Sequence, residues 1–406
     1  MSGETEFILG WFRRYYGEEP PRPPSRFGKR EFGFMFLDRG YVQRHMAFSR
    51  ASDLREFFVN RVPAHAYHSS AYYQDPGAPT MAEKGWLGAD LIFDLDADHV
   101  PGAESLSYPQ MLGRVKEEAI HLIDDFLLGD LGFDASHLRI VFSGGRGYHV
   151  HVDRKDVIDL GSHERREIVD YITGTDLDMG WVFPERASFE KRIKDLRKVH
   201  RSVLVPGKGA GGWRGKMRRG LETLLEELEG SEVDDVRERY GSASQASEAL
   251  VKGLLRDLFS PRGGRRVKDL ILDKGNLEDL SDRRHRTLLI RMVEEEIKPR
   301  LVGEVDEPVT SDVKRLIRLP GSLHGKTGMV VLPLEREEME HFQPLRDAVP
   351  GVLTDDPVEV EVYDRVDMEI AGERMSLSGR EEVPTRAALF LLCRGMASLA
   401  GHQYLA

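Results

Sequence analysis

Leu91-Ile92-Phe93-Asp94-Leu95-Asp96 is the stretch on which the fold turns. Its apolar run is short, and Gly88 and Pro101 bound it, so it reads as a buried strand. Residues two apart in a strand project to the same face. Asp94 and Asp96 therefore stand side by side at the end of an otherwise apolar strand. Two carboxylates that close raise each other's pKa unless a cation joins them. A divalent ion resolves the conflict, and oxygen ligands of this kind suit Mg²⁺ or Mn²⁺. Taken alone, Asp-x-Asp equally describes two solvated carboxylates where a strand meets a loop.

Working outward, Met111–Gly129 has apolar residues at helical spacing, and Leu138–Phe142 and Tyr148–Val152 are β-rich runs joined by Ser143-Gly144-Gly145-Arg146-Gly147. Upstream, Arg30–Phe36 and Tyr41–Phe48 read as strands around the hairpin signal Asp38-Arg39-Gly40. Ser52–Asn60 reads as a helix, and an aromatic, basic stretch, Trp11–Tyr16, precedes a proline-rich break at Pro20–Pro24. The character changes over residues 161–294. Charged helical segments dominate there (Leu221–Leu228, Ala249–Phe259, Arg286–Ile297), with glycine-rich basic loops around Gly207–Arg219 and Arg262–Lys268. Strand character returns at Gly328–Leu334 and Val358–Val362, and a helix over Thr385–Leu399 closes the chain. The order β-rich, helical, β-rich predicts a mixed α+β protein: a sheet-based catalytic core, residues 1–160 and 295–406, interrupted by a mostly helical insertion subdomain, residues 161–294.

Three further constellations bear on chemistry. In Ser143–Gly147 the glycines let backbone N–H groups approach phosphate oxygens, and Arg146 and His149 add donors; a plain hairpin turn is the competing reading. In Arg315–Gly328 the ending Gly325-Lys326-Thr327 invites a P-loop assignment. That assignment fails, because Pro320 stands where the first glycine belongs and a strand rather than a helix follows. What remains is a turn carrying Arg318, Ser322, His324 and Lys326, side chains suited to a triphosphate. Finally, Glu304, Asp306 and Asp312 each offer a third carboxylate to Asp94 and Asp96, and spacing does not choose among them. The basic loops Trp213–Arg219 and Arg262–Lys268 are candidates for nucleic-acid phosphates, or equally for solubilising surface.

Composition narrows the class. The 406 residues are 40% hydrophobic and 31% charged, ordinary for a protein with a real core. No stretch approaches the ~20 apolar residues of a membrane span, and the N-terminus lacks the basic flank and apolar run of a signal peptide. With 58 basic and 69 acidic residues the formal charge is −11, which disfavours loose coating of nucleic acid. Cys393, the single cysteine, excludes an internal disulfide and a multi-cysteine zinc site. A cytoplasmic location is expected.

In this order, the pieces resemble the catalytic small subunit of archaeal and eukaryotic replicative DNA primase. The family's hydrophobic-Asp-x-Asp motif is similar to Ile92–Asp96, and its Ser-Gly-x-Arg-Gly-x-His motif to Ser143–His149. The Pro-x-Ser-x-His-x-Lys-Thr-Gly segment is matched by Pro320, Ser322, His324, Lys326, Thr327 and Gly328. Arg30–Phe34 and Ser69–Tyr73 also match. The similarity covers roughly residues 10–160 and 295–400. A third catalytic aspartate shortly before the later segment points to Asp306. The zinc knuckle that many members carry between the first two motifs is missing: Ala97–Val141 has no cysteine, and His99, His121 and His137 are too sparse to replace it. No structural zinc is expected.

The resemblance implies template-directed synthesis of short primers on single-stranded DNA from nucleoside triphosphates. Asp94, Asp96 and Asp306 are then the catalytic and metal-binding residues for two divalent ions, Mg²⁺ or Mn²⁺. Ser143, Arg146, His149, Arg318 and His324 bind the triphosphate, with Lys326 a weaker candidate, and Arg44 lies near a nucleotide. The implied partner is a large subunit carrying an iron–sulfur domain, in a heterodimer. The rivals are a stand-alone primase-polymerase or repair polymerase of the same superfamily, and a non-catalytic nucleotide-binding subunit, which would be expected to lose the acidic ligands.

Overall fold

The computed structural model describes residues 2–97, 105–193, 196–301 and 305–400; the side chains of 188–200 and 298–300 and of residue 301 are not described. His99 and Glu304 therefore lie outside the described residues. The chain divides into two compact units. One comprises Met1–Asp124, Phe133–Val169 and Glu304–Ala406; the other comprises Asp125–Gly132 and Asp170–Gly303.

The first unit carries two four-stranded antiparallel sheets, whose strands are numbered here in chain order: β1 (Phe32–Met35), β2 (Gln43–Met46), β3 (His65–Ser69), β4 (Leu91–Asp96), β5 (Leu138–Phe142), β6 (Gly147–Val152), β7 (Leu316–Arg318) and β8 (Leu332–Leu334). One sheet runs β7-β3-β1-β2, the other β8-β5-β6-β4. The first two strands pair around Asp38–Gly40 as read but are shorter than expected, Leu91–Asp96 and Leu138–Phe142 form as read, Tyr148–Val152 extends back to Gly147, and Gly328–Leu334 shortens to Leu332–Leu334. Phe32 and Phe34 of β1 pack with Phe12, Tyr16, Leu54 and Phe58 from the N-terminal helix Gly3–Glu18 and the helix Ala51–Arg61, a fully apolar core. The two sheets meet through Ile92 of β4, Ile317 of β7 and Val309, and through His68 of β3 and His151 of β6, whose rings stack 6.3 Å apart.

Two expectations need correction in this unit. The last helix is Thr385–Cys393, not Thr385–Leu399: Gly395 takes a positive φ, and Ala397–Leu399 becomes a strand on Pro357–Ile370. That strand pairs in turn with Glu373–Pro384, a far longer hairpin than Val358–Val362 suggested, because exposed charges mask its buried alternation at Val360, Val362, Val366 and Met368.

The second unit is mostly helical (Gly212–Glu227, Glu248–Phe259 and Arg283–Leu301 are its longest helices). It also holds a long antiparallel hairpin, Glu185–Ile193 with Leu196–Val203, which the charge-rich sequence had concealed. Trp213–Arg219 is helix rather than loop. Two of its cations are used internally. Lys216 is buried and donates to the Asp125 carbonyl at 3.0 Å and the Asp130 carboxylate at 2.5 Å; Arg218 is buried and donates to Glu222 and to the carbonyls of Pro206 and Leu272. In Arg262–Lys268, Arg262, Arg265, Arg266 and Lys268 each pair with a local carboxylate.

Candidate active site

Strand register builds the site. Asp94 of β4 pairs with His149 of β6, and Asp96 pairs with Gly147. The two-residue repeat puts Asp94, Asp96 and His149 on one face, as read from sequence. His149 Nε2 lies 3.4 Å from Asp94 Oδ1, and Arg146 Nε lies 3.9 Å from Asp96 Oδ1. The strands approach too closely at their end for any side chain on the β6 residue: a Cβ at position 147 would sit 2.2 Å from the Leu95 carbonyl oxygen. Ser143 organises the turn before β6, its Oγ accepting from the N–H groups of Gly145 (3.3 Å) and Gly147 (3.1 Å). Its hydroxyl hydrogen is left to donate elsewhere.

The opposite wall comes from β3, β7 and the turn after β7. Arg318 lies under the Tyr67 ring, 4.7 Å from its centroid, and its Nη1 contacts His65 Nδ1 at 2.5 Å. His324 packs edge-on against His65 with ring centroids 4.8 Å apart. Thr327 Oγ1 donates to the Gly144 carbonyl at 2.6 Å, tying this turn to the glycine-rich one. Gly144 has φ +76°, and a Cβ there would meet His324 Cβ at 2.8 Å.

Together these walls enclose a cavity of about 480 Å³. Asp94, Asp96, Ser143, Arg146, His149, Arg318, His324 and Lys326 all line it. So do Arg315, Arg394, Tyr67 and Thr327, which the sequence reading did not assign to the site. Arg315 and Thr327 lay within the basic run already singled out. Arg394 comes from the end of the C-terminal helix and has no motif around it; its guanidinium stacks on Tyr108, 4.5 Å from the ring centroid. Five cations, Arg146, Arg315, Arg318, Lys326 and Arg394, face two carboxylates, Asp94 and Asp96. The histidines add no charge near neutral pH. Burial, reinforced by Arg318 and Arg315, pushes His149 down to about 3; burial, reinforced by Arg318, holds His324 well below the usual range. Burial also pulls Arg318 below the ordinary arginine range, opposed by Tyr67, Asp94 and Asp96.

Two predicted residues stand apart from the cavity walls. Arg44, on β2, donates to the fully buried Glu31 carboxylate at 3.1 and 3.4 Å. Asp306 is a backbone neighbour of Asp94, donating its N–H to the Asp94 carbonyl at 2.9 Å, while its own Oδ1 accepts from the Val309 N–H at 3.3 Å and caps the short helix Glu307–Ser311. Among the described residues no group of three His, Cys, Asp or Glu side chains stands ready to hold a metal. The donor set nonetheless fits a hard divalent ion: two adjacent carboxylates open to a polar cavity, with the third a strand-bridge away. Mg²⁺ is commonly held by one or two carboxylates plus water and substrate phosphate rather than by an all-protein cage.

Comparison with known proteins agrees with this geometry. The sequence profile described as DNA primase small subunit matches residues 93–336. The chain is 42% identical to the DNA primase small subunit PriS of Methanocella arvoryzae, over 98% of this chain and 99% of that protein. It is 40% identical to the protein of the same name from Methanothrix thermoacetophila and 39% identical to that from Methanococcoides burtonii, in each case over 98% of this chain and 99% of the relative.

Proposed function

This chain belongs to the DNA primase small subunit family, and on that premise we propose that it is the catalytic subunit of a replicative primase, a nucleotidyltransferase that starts strands on single-stranded DNA. The 3′-hydroxyl of one nucleotide attacks the α-phosphorus of a nucleoside triphosphate, the new phosphodiester forms, and pyrophosphate leaves. One observation carries the reading: a single cavity joins two adjacent carboxylates to five cationic side chains. Such a cavity suits a polyanion brought in with a divalent ion, and it suits little else.

Asp94 and Asp96, with Asp306 beside them, would hold Mg²⁺ or Mn²⁺. Two such ions, when bound, lower the pKa of an attacking hydroxyl and stabilise charge on a leaving pyrophosphate. The chain's own residues bind and orient. Arg146 and Arg318 flank the cavity from its two walls, and each guanidinium offers a fork that matches phosphate oxygens. Lys326, Arg315 and Arg394 add charge to the same volume. His149 and His324, neutral, serve as hydrogen-bond partners rather than as counter-ions, and the Ser143 hydroxyl can donate to the same phosphates. Most of the rate acceleration is then positioning and electrostatics. The family name implies a large subunit, and the resemblance of the motifs implies that it carries an iron–sulfur domain.

The test is primer synthesis on single-stranded DNA with all nucleoside triphosphates and Mg²⁺ or Mn²⁺, comparing wild type with Asp94→Ala/Asp96→Ala. New strands from wild type alone, without a primer, support the proposal. Activity surviving loss of both aspartates overturns the carboxylate assignment. Extension only from an annealed primer, even with the large subunit added, favours a repair polymerase.

A further inference from the structure

We propose that His65 is a positioning residue for the triphosphate site: its Nδ1, kept as an acceptor, aims the Arg318 guanidinium and pins the turn that carries His324 and Lys326. The proposal rests on the nucleotidyl-transfer reading above. His65 opens β3, is almost fully buried, and is not itself a wall of the cavity, so it acts through its neighbours.

Two donors converge on its Nδ1: Arg318 Nη1 at 2.5 Å and the Gly325 N–H at 3.3 Å. Guanidinium and backbone N–H groups can only donate. A proton on Nδ1 would face both, so the ring carries its proton on Nε2. Burial, with Arg318 and Lys326 adding to it, pushes the His65 pKa to about 3, so the ring stays neutral in any ordinary assay. A neutral acceptor has a consequence that a carboxylate would not. An Arg–carboxylate pair fixes the guanidinium but cancels its charge. His65 fixes one edge of Arg318, the Tyr67 ring supports one face, and the full positive charge is left for a phosphate. The Gly325 contact does the same for the turn: position 325 lies between His324 and Lys326, so one nitrogen sets the placement of three phosphate-facing side chains.

The experiment measures ATP–Mg²⁺ affinity by titration calorimetry, and steady-state primer synthesis by the chain with its large subunit, for wild type, His65→Leu, His65→Asn and His65→Gln. The Asn amide oxygen falls where Nδ1 was, Leu puts a methyl there, and Gln carries its amide past that point. His65→Leu is expected to weaken ATP binding and raise the nucleotide KM by roughly tenfold to a hundredfold, as for loss of a hydrogen bond to a charged group, with kcat changed far less. His65→Asn is expected to restore most of the loss and His65→Gln not to. If His65→Leu fails to fold, the Asn–Gln comparison decides, since both are amides. Unaltered ATP affinity in His65→Leu, or equal losses in Asn and Gln, would overturn the inference while leaving the site reading intact. A wild type that binds no ATP would overturn the site reading, and the inference with it.

Discussion

Arg30→Met is expected to cost the first unit a large share of its stability. Arg30 is fully buried, and all three of its guanidinium nitrogens are engaged. Nε donates to the Ser25 carbonyl at 2.8 Å. Nη1 donates to the Ser69 carbonyl at 2.6 Å. Nη2 donates to the Asp90 carboxylate at 2.6 Å and to the Tyr72 hydroxyl at 3.0 Å. The same guanidinium stacks on Tyr72, 4.4 Å from the ring centroid. Asp90 is buried too, and it immediately precedes β4, so this pair anchors the strand that carries Asp94 and Asp96. Methionine fills similar volume but leaves the Asp90 carboxylate, among the described residues, with the Tyr72 hydroxyl, a distant Arg139 3.9 Å away and the field of the nearby Arg165. Breaking a buried ion pair from one side costs ~3–5 kcal/mol, because a buried charge is left uncompensated. Against a total of ~5–15 kcal/mol for a natural domain, that is a fifth or more.

The assay is urea unfolding followed by tryptophan fluorescence, with Trp11 and Trp86 as reporters in this unit. The double variant Arg30→Met/Asp90→Leu separates causes. If the unpaired carboxylate is the source of the loss, the double variant recovers stability relative to Arg30→Met, a coupling well outside the ~0.5 kcal/mol of independent sites. A cost for Arg30→Met below ~1 kcal/mol, or a double variant that merely sums the singles, would refute the reasoning.

Other expectations are briefer. Gly144→Ala forces a left-handed conformation on a residue with a Cβ and drives that Cβ into His324; the nucleotide KM should rise at least several-fold in steady-state primer synthesis, and the unfolding free energy from urea titration should fall by ~1–3 kcal/mol. Arg394→Ala removes a cation that no motif marks, and should weaken ATP–Mg²⁺ binding measurably while changing the unfolding free energy in urea by less than ~1 kcal/mol, the scale of a cation–π contact such as that on Tyr108. His65, His68 and His151 are buried and neutral in the fold, their pKa values depressed chiefly by burial. The unfolded chain takes up the proton first as pH falls below ~6.5, so the stability they contribute is full above that value and drains below it, by up to ~1.4 kcal/mol per pH unit for each. Urea midpoints at pH 7.5 and 5.5 should show the decline, and His151→Gln should flatten it.

The parts of the site legible in sequence were those in which one strand supplies several groups in fixed register. Asp94 and Asp96, or Gly147 and His149, need only the two-residue repeat to share a face. The sheet-based core and the failed P-loop were readable because their signals are local: β-rich runs, and Pro320 where a glycine would be needed. Other groups arrive by tertiary contact. Arg394 enters from a helix whose end was misjudged, because Gly395 stops it earlier than the apolar pattern suggested. His65 stands in a strand, His65–Ser69, that the sequence reading did not identify, and only Arg318 on the neighbouring strand marks its role. The basic run Trp213–Arg219 misled in the opposite direction: its charges suggested an exposed loop, but helical spacing buries Lys216 and Arg218 against Asp130 and three backbone carbonyls. Composition reports charge but not what each charge touches.

The distribution of charge within the cavity also explains why its histidines must be buried. If His149 and His324 were protonated, seven cationic groups would surround two carboxylates, and Asp94, already 3.4 Å from His149 Nε2, would be satisfied by imidazolium alone. A satisfied carboxylate has little reason to take a metal ion. Desolvation removes that competition: neutral rings solvate a carboxylate weakly, and four of the five remaining cations are guanidinium groups whose planar forks match phosphate oxygens. Asp94 and Asp96 place negative charge on one side of the cavity, while Arg318, Lys326 and Arg394 place positive charge on the other. A nucleoside triphosphate carrying a divalent ion presents the complementary pair of charges. The chain's overall charge of −11 sharpens the contrast, because it gives a bare polyanion little general attraction.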